Sequence, residues 1–241
     1  MKKLVVLLIS FLLAPLVFAQ YNDTLPSYLA DLRDAAYGQG AEAAELLSNY
    51  NAAVTGISKD YDDVAELNYL AQCEYLTGIG YNIMGDEDNA TVHFQKGYDI
   101  AQKSLDIKET AEGWATQSDN LGGLCGTKGA SYQLLHGYDV IKFSNNALEL
   151  DPRNAGAQYM IAASWIYAPA IHRNFNTGID YLNTMLTKSD MDKHDYFDAC
   201  TAMAYCYLQK KDIDNAKQWL AKAQALYPQN AVVKELEKEI K

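Results

Sequence analysis

The side chains best suited to chemistry are few in this chain and do not stand in the patterns that catalysis or metal binding requires. No serine or cysteine lies in a setting typical of an activated nucleophile. No pair of histidines has a spacing typical of a metal site. The four histidines are His93, His136, His172 and His194. We therefore predict that the protein is not an enzyme and that it binds no metal and no cofactor.

Three glycines recur at helical spacing near Lys128: Gly122, Gly126 and Gly129. A phosphate-binding loop needs the pattern G-x-x-x-x-G-K-[ST] between a strand and a helix, and neither the spacing nor a strand is present. Close packing of two helices is the interpretation that the spacing favours.

The cysteines leave two alternatives open. An even number of cysteines in an oxidising compartment allows up to two disulfides. All of them lie in apolar helical patterns, which favours buried free thiols. They are Cys73, Cys125, Cys200 and Cys206.

The first nineteen residues have the pattern of a secretory signal peptide. Lys2 and Lys3 precede an apolar run from Leu4 to Val17, and we expect cleavage after Ala19. The alternative is an uncleaved anchor, but the run is shorter than the ~20 residues of a membrane helix. No cysteine beside Ala19 offers a site for a lipid anchor. We predict a periplasmic or secreted protein without a later membrane span.

Charge excludes further classes of partner. The chain has 241 residues and a formal net charge of −11, with 49% hydrophobic residues. That composition is typical of a globular protein. An acidic surface repels phosphate backbones and anionic lipids, so we predict binding neither to nucleic acid nor to membrane surfaces.

The elements that must position these residues are helices, because apolar residues recur at three- and four-residue steps almost everywhere after Leu25. Gly78 and Ala90 are twelve residues apart, with Phe94 four residues further; Ala204, Ala216 and Leu220 repeat those spacings. The pattern resembles the tetratricopeptide repeat (TPR), a helical hairpin of about 34 residues. Small residues are needed where its two helices touch closely.

We therefore predict an all-α, TPR-type right-handed solenoid of about four hairpins, preceded by an N-terminal helix pair and closed by a capping helix. Residues 20–241 form the one predicted domain. The predicted helix pairs are 26–57, 64–105, 110–151, 155–188 and 195–227, and the capping helix is 230–241.

A narrower resemblance covers about half of the chain. It is carried by Trp114, Asn120–Gly122, Ala147–Pro152 and Tyr167–Pro169, with Asn174 and Gly178. These residues resemble the T-component family of tripartite ATP-independent periplasmic (TRAP) transporters, which are TPR solenoids. The resemblance implies a periplasmic solute-binding protein as partner, and it allows a homo-oligomer.

In a TPR stack the first helix of each hairpin lines the concave face, so the repeat register predicts a groove. Its lining is aromatic and aliphatic with one amide, which fits a small hydrophobic molecule or an apolar partner surface. The alternative is that these side chains pack in a superhelix too short to open. The predicted groove residues are Tyr75, Ile79, Asn82, Tyr159, Ile166, Tyr167, Tyr205 and Leu208.

The loop Ala168 to Thr177 is extended by four residues relative to the repeat and is the other candidate site. Functional residues concentrate in such loops of rigid scaffolds, and the planar fork of an arginine can bind a carboxylate. The alternative is a solvated turn with Phe175 tucked in. The candidates are His172, Arg173, Asn174 and Phe175.

Taken together, the residues predict an exported, non-enzymatic TPR binding module. The TRAP resemblance implies a T-component-like role, with the apolar groove holding a small hydrophobic or organic-acid ligand. The alternative is a general protein-protein scaffold in envelope assembly.

Overall fold

The computed structural model describes residues 21–38, 42–60 and 63–240, and the predicted signal peptide lies outside these ranges. The described residues form eleven α-helices and no β-strand. The helices are α1 (Ser27–Gly38), α2 (Ala43–Asp60), α3 (Asp63–Ile83), α4 (Glu87–Ile107), α5 (Ala111–Thr127), α6 (Ala130–Leu150), α7 (Ala155–Ile166), α8 (Phe175–Lys188), α9 (Lys193–Gln209), α10 (Ile213–Leu226) and α11 (Ala231–Glu239).

Successive helices pair as hairpins, from α1 with α2 to α9 with α10. The odd-numbered helices α1, α3, α5, α7 and α9 also contact one another in order and form an inner layer. This two-layer stack of hairpins is the architecture of a helical solenoid. The prediction of an all-α repeat fold is confirmed.

The small positions of the repeat lie where two helices meet. A Cβ atom at Gly78 of α3 would lie 2.6 Å from the Phe94 ring of α4, so only glycine fits there. In the last hairpin, Ala204 and Ala216 are fully buried at the corresponding positions. The spacing that predicted the repeat therefore marks real helix contacts.

The same tight turn joins α3 to α4 and α9 to α10. The amide of Asp86 donates to the carbonyl five residues earlier at 2.9 Å, and the amide of Asp212 does the same at 2.9 Å. Both aspartates then cap the following helix. The residue before each aspartate has positive φ, 82° at Gly85 and 62° at Lys211.

The two ends of the solenoid meet. The Asn230 side chain at the start of α11 donates to the backbone carbonyl of Tyr37 in α1 at 2.8 Å. The amide of Asn22 donates to the carbonyl of Met191 at 2.8 Å. The first hairpin thus closes onto the last, and the solenoid forms a ring.

A buried charge network holds this closure. Arg33 of α1 is 1% exposed and pairs with Asp23 at 2.7 Å and with Asp34 at 3.0 Å. The Tyr227 hydroxyl donates to Asp34 at 2.6 Å, and Lys193 pairs with the same carboxylate at 3.2 Å. Burial lowers the pKa of Arg33, but its two carboxylate partners outweigh this effect and raise it.

All four cysteines are buried and free in the structure. Within the described residues, no helix combines the length and the apolar composition that a bilayer span requires.

Candidate functional site

Tyr37 of α1 fills the middle of the predicted groove. The side chain is 2% exposed, and its hydroxyl donates to the Asp198 carboxylate of α9 at 2.9 Å. The Tyr75 side chain of α3 lies beside Tyr37, and Tyr75 itself is 8% exposed. The centre of the concave face is therefore occupied by the chain's own first helix.

The other predicted groove tyrosines lie around this centre. Tyr159 and Tyr167 lie beside each other, and Tyr159 also lies near both Tyr75 and Asp198. The Tyr205 ring is 5.6 Å from the Tyr167 ring. The structure brings these tyrosines together on the inner layer.

The aliphatic groove residues are placed differently. Ile166 is fully buried inside its own hairpin, where a Cβ atom on Gly178 would lie 2.4 Å from it. Ile79 and Leu208 are half-buried, and Asn82 is exposed near the end of α3. These residues do not form one continuous lining with the tyrosines.

The extended loop spans residues 167–174, because α8 begins at Phe175. Asn174 is the N-cap of α8 and accepts a hydrogen bond from the amide of Thr177 at 3.1 Å. The Phe175 ring packs edge-on against Tyr205 at 6.0 Å. Asn174 and Phe175 therefore hold the start of α8 in place.

The other two loop candidates, His172 and Arg173, are exposed, as is Asn174. Arg173 donates from Nε to the carbonyl of Ala168 at 3.0 Å, and its guanidinium lies 5.9 Å from the centre of the Phe175 ring. His172 is exposed and lines the recess described next.

A recess of about 530 Å³ opens between α5, α6 and the end of α7. We call it the apolar recess, because most of its wall consists of carbon atoms. Its lining includes Gly122, Gly126, Leu134, Tyr138, Met160 and Ala168. No side chain occupies the space beside Gly126, where a Cβ atom would meet nothing within 4 Å.

Large apolar side chains stand uncovered beside this recess. Leu134 is 58% exposed, Leu135 75%, Tyr138 76% and Ile171 83%. Three of them belong to the first half of α6, which faces the loop after α7 and solvent. Gln133 spans this gap by donating to the carbonyl of Tyr167 at 3.0 Å.

The predicted site residues Tyr167 and His172 line the recess. The uncovered face of α6 was not predicted from the sequence, although a signal exists. The buried residues of α6 are Val140, Ser144 and Ala147. At 100° per residue, Leu134 and Tyr138 lie on the other side of the helix from them. Apolar residues on the outer face of a helix indicate a missing partner.

A second cavity, of about 860 Å³, lies where α3, α5, α7 and α9 begin. We call it the acidic cleft. Its carboxylates outnumber its basic residues, Lys108, Arg153 and His194. Carboxylates in the first turn complement the positive end of a helix. Those lining the cleft are Asp63, Glu112, Asp119, Asp151, Asp190, Asp192 and Asp195.

The start of α9 carries the densest group. Asp192 Oδ1 accepts hydrogen bonds from the amides of His194 at 3.0 Å and Asp195 at 3.4 Å. Asp195 Oδ2 accepts from the amide of Asp192 at 3.0 Å, which completes a capping box. The His194 ring lies between the two carboxylates, with Nδ1 2.5 Å from Asp192 Oδ1 and Nε2 3.8 Å from Asp195 Oδ1.

Burial and mutual repulsion shift the titration of this group. Burial, reinforced by the charge of Asp195, raises the pKa of Asp119 to about 8. Burial also raises the pKa of Asp198 to about 7. Burial lowers the pKa of His194, but Asp192 and Asp195 outweigh that effect and raise it to about 10.

This cluster was not predicted from the sequence because His194 has no second histidine at a metal-site spacing. The spacing of Asp192, His194 and Asp195 at a predicted helix start could have indicated the cluster. The sequence could not indicate that Asp119 lies near this cluster, because Asp119 belongs to another helix.

Comparison with known proteins bears on the fold alone. No family model and no curated protein matches the chain. Among solved structures, it is similar to a thermophilic TPR protein of Thermus thermophilus. The two share 15% sequence identity at a TM-score of 0.55, over 88% of this chain and 98% of the other. At that identity the likeness establishes a TPR-type solenoid.

Proposed function

We propose that this chain is a protein-protein interaction module whose partner docks an apolar segment in the apolar recess. The observation that carries the proposal is the group of uncovered side chains beside it: Leu134, Leu135, Tyr138 and Ile171. Large apolar side chains clustered around a concavity are typical of binding surfaces. TPR-type solenoids supply the rigid helical scaffold that such a surface needs.

The closed concave face supports this location over the predicted groove. An extended peptide needs an open channel between the inner helices, and Tyr37 occupies that channel at its centre. A partner docking on the outside at α6 leaves Tyr37 in place.

Two narrower functions follow from the sequence and stay proposals. One is a T-component-like partner of a periplasmic solute-binding protein, with a small hydrophobic or organic-acid ligand. The other is a general scaffold in envelope assembly. Export through the predicted signal peptide is common to both, and the identity of the partner separates them.

Site-specific photo-crosslinking in the source cells tests the docking surface. The crosslinking residue replaces Tyr138, which is 76% exposed, or Val92 of α4, which is 63% exposed and serves as control. We expect a defined protein to be captured from position 138 and not from position 92. Adding Leu135→Asp to the position 138 variant should abolish the capture.

The captured protein then decides between the two functions. A solute-binding protein supports the T-component-like role, and another envelope protein supports the scaffold. Equal capture from both positions, or capture that survives Leu135→Asp, contradicts the proposal. Native mass spectrometry of the same chain tests for a bound small molecule, which only the first function requires.

A further inference from the structure

Charge is distributed unevenly between the two cavities of this protein. The chain has a formal net charge of −11, and carboxylates crowd the acidic cleft where α5 and α7 begin. The apolar recess lies near the other ends of α5 and α7, and no carboxylate lines it in the described part of the chain. The one acidic residue in the first half of α6, Asp139, lies about 100° around the helix from Tyr138 and 3.7 Å from Nδ1 of His136. The recess is therefore set apart from the acidic surface.

Arg173 differs from the other two arginines of the chain. Arg33 and Arg153 each pair with an aspartate, whereas Arg173 pairs with no carboxylate among the described residues. Its Nε atom donates at 3.0 Å to the carbonyl of Ala168, which lines the recess, and its guanidinium lies beside the Phe175 ring. These contacts place the guanidinium at the wall of the recess and leave its two Nη atoms for a further acceptor. A planar fork held in this way is suited to a carboxylate.

Two lysines near the recess also lack a carboxylate partner in the described ranges. Lys142 is exposed and follows Tyr138 by one turn of α6, so both side chains lie on the same outer face. Lys128 lies two residues after Gly126 of the recess wall, and it donates to the side-chain oxygen of Gln95 at 3.1 Å. Cations without counter-ions around an apolar surface complement a partner of negative charge.

The dimensions of the recess limit what can enter it. Its α6 wall runs from Gln133 to Ile141, which is about 12 Å at the rise of an α-helix. That length matches about two turns of a helix or about four residues of an extended chain. The recess therefore fits the apolar side chains of one short segment.

We infer that the segment docked in the apolar recess is acidic. Its apolar side chains pack against Leu134 and Tyr138, and the carboxylate of an adjacent Asp or Glu side chain pairs with Arg173. This inference rests on the proposed function and names the chemistry of its partner. Apolar contacts alone admit many hydrophobic segments, whereas a basic segment brings like charges to Arg173 and Lys142. The cations thus select among apolar segments.

Photo-crosslinking from position 138 in the source cells tests the inference when further substitutions are added. Arg173→Gln should lower the capture of the partner about threefold to tenfold, and Arg173→Glu should lower it further because it repels the carboxylate. The matched control is Arg153→Gln, which changes an exposed arginine at the acidic cleft and should leave capture unchanged. Since Arg173 is exposed, its variants should melt at the wild-type temperature.

The captured segment, identified by mass spectrometry and made as a synthetic peptide, gives a direct measurement. In fluorescence polarisation its affinity for the purified protein should fall as NaCl rises from about 50 mM to about 500 mM, because salt screens charges at the rim. Arg173→Gln should reduce this salt dependence. A peptide with lysine in place of its acidic residues should bind the wild type more weakly and Arg173→Glu more tightly than the original peptide does.

The outcomes separate this inference from the proposed function. Capture that Leu135→Asp abolishes but Arg173→Glu leaves unchanged overturns the inference and keeps the proposed function. An equal loss in Arg153→Gln also overturns the inference, because the effect is then not specific to Arg173. A captured segment without Asp or Glu, a crosslinked dimer of this chain or an adduct of small-molecule mass contradicts it as well. An absence of capture from position 138 overturns both.

Discussion

At the scale of single residues, the interior of this protein concentrates ionisable groups where water is scarce. Asp119, Asp195 and Asp198 face one imidazole, His194, inside the inner layer. The carboxyls retain protons at a pH at which they lose them in the unfolded chain. The imidazole likewise keeps its proton well above its usual range. Both effects make these four groups bind more protons in the folded state than in the unfolded state, so their contribution to stability should fall as the pH rises.

Asp119→Asn should isolate the contribution of one carboxyl to the pH dependence of stability. The pKa of the wild-type carboxyl is near 3.8 in the unfolded chain and about 8 in the folded protein. The carboxyl therefore destabilises the folded state increasingly as the pH rises between those two values. The variant should be more stable than wild type by roughly 1–3 kcal/mol at pH 8 and nearly equal to it at pH 4.5. Urea unfolding at the two pH values measures this difference. A difference independent of pH would contradict the assignment, and Asp190→Asn should show none.

At the scale of helices, the fold depends on a few glycines that admit a neighbouring ring. In α5, a Cβ atom at Gly123 would lie 2.5 Å from the Phe94 ring, whereas one at Gly126 would meet nothing within 4 Å. Three glycines were interpreted from the sequence as close-packed. Of these, Gly122 is close-packed against the Met160 side chain. Gly126 and Gly129 lie in open space, and Gly129 has a positive φ of 82°.

The same substitution three residues apart should therefore have opposite effects. Gly123→Ala should destabilise the protein by roughly 1–3 kcal/mol, because the Phe94 ring must move. Gly126→Ala should leave stability unchanged or raise it by up to about 1 kcal/mol, since alanine favours a helix. Urea denaturation of both variants measures the contrast. Equal losses would mean that the packing of α4 against α5 is looser than described.

The repeat was predictable because its contacts are local. Gly78 and Phe94 contact each other within one hairpin, so the contact is visible as a fixed spacing in the sequence. The candidate site was predicted only in part. The sequence indicates which residues face the inner layer, but not that Tyr37 fills the groove, because Tyr37 and Asp198 are 161 residues apart. Likewise, no local pattern shows that α7 ends early enough to leave Leu134 and Tyr138 bare.

At the scale of the whole molecule, closure into a ring distinguishes this chain from an open solenoid. In an open stack each repeat contacts only its neighbours, and the stability is a sum of local terms. Here Arg33, Asp34 and Tyr227 add a contact between the first and last hairpins.

Arg33→Ala should weaken this closure. Removing a buried guanidinium leaves the Asp23 carboxylate without its partner and Asp34 with only Lys193 and Tyr227, at a cost of roughly 2–4 kcal/mol after allowance for the partial exposure of both carboxylates. Small-angle scattering should show a larger radius of gyration as the ends separate. Arg153→Ala, which removes an exposed arginine paired with Asp190, should change neither quantity and serves as control. An unchanged radius and stability for Arg33→Ala would show that the ends are held by other contacts.

Ring closure also sets the order in which the chain can fold during synthesis. Each hairpin finds its partner within a few dozen residues and can form as it leaves the ribosome. Tyr37 must wait for Asp198, and Asp34 for Tyr227, 193 residues later. Until then α1 presents Arg33 and Tyr37, which the finished protein buries, to chaperones and proteases. A chain truncated before α9 keeps that surface of α1 exposed. Burial of this surface therefore distinguishes the full-length protein from truncated products.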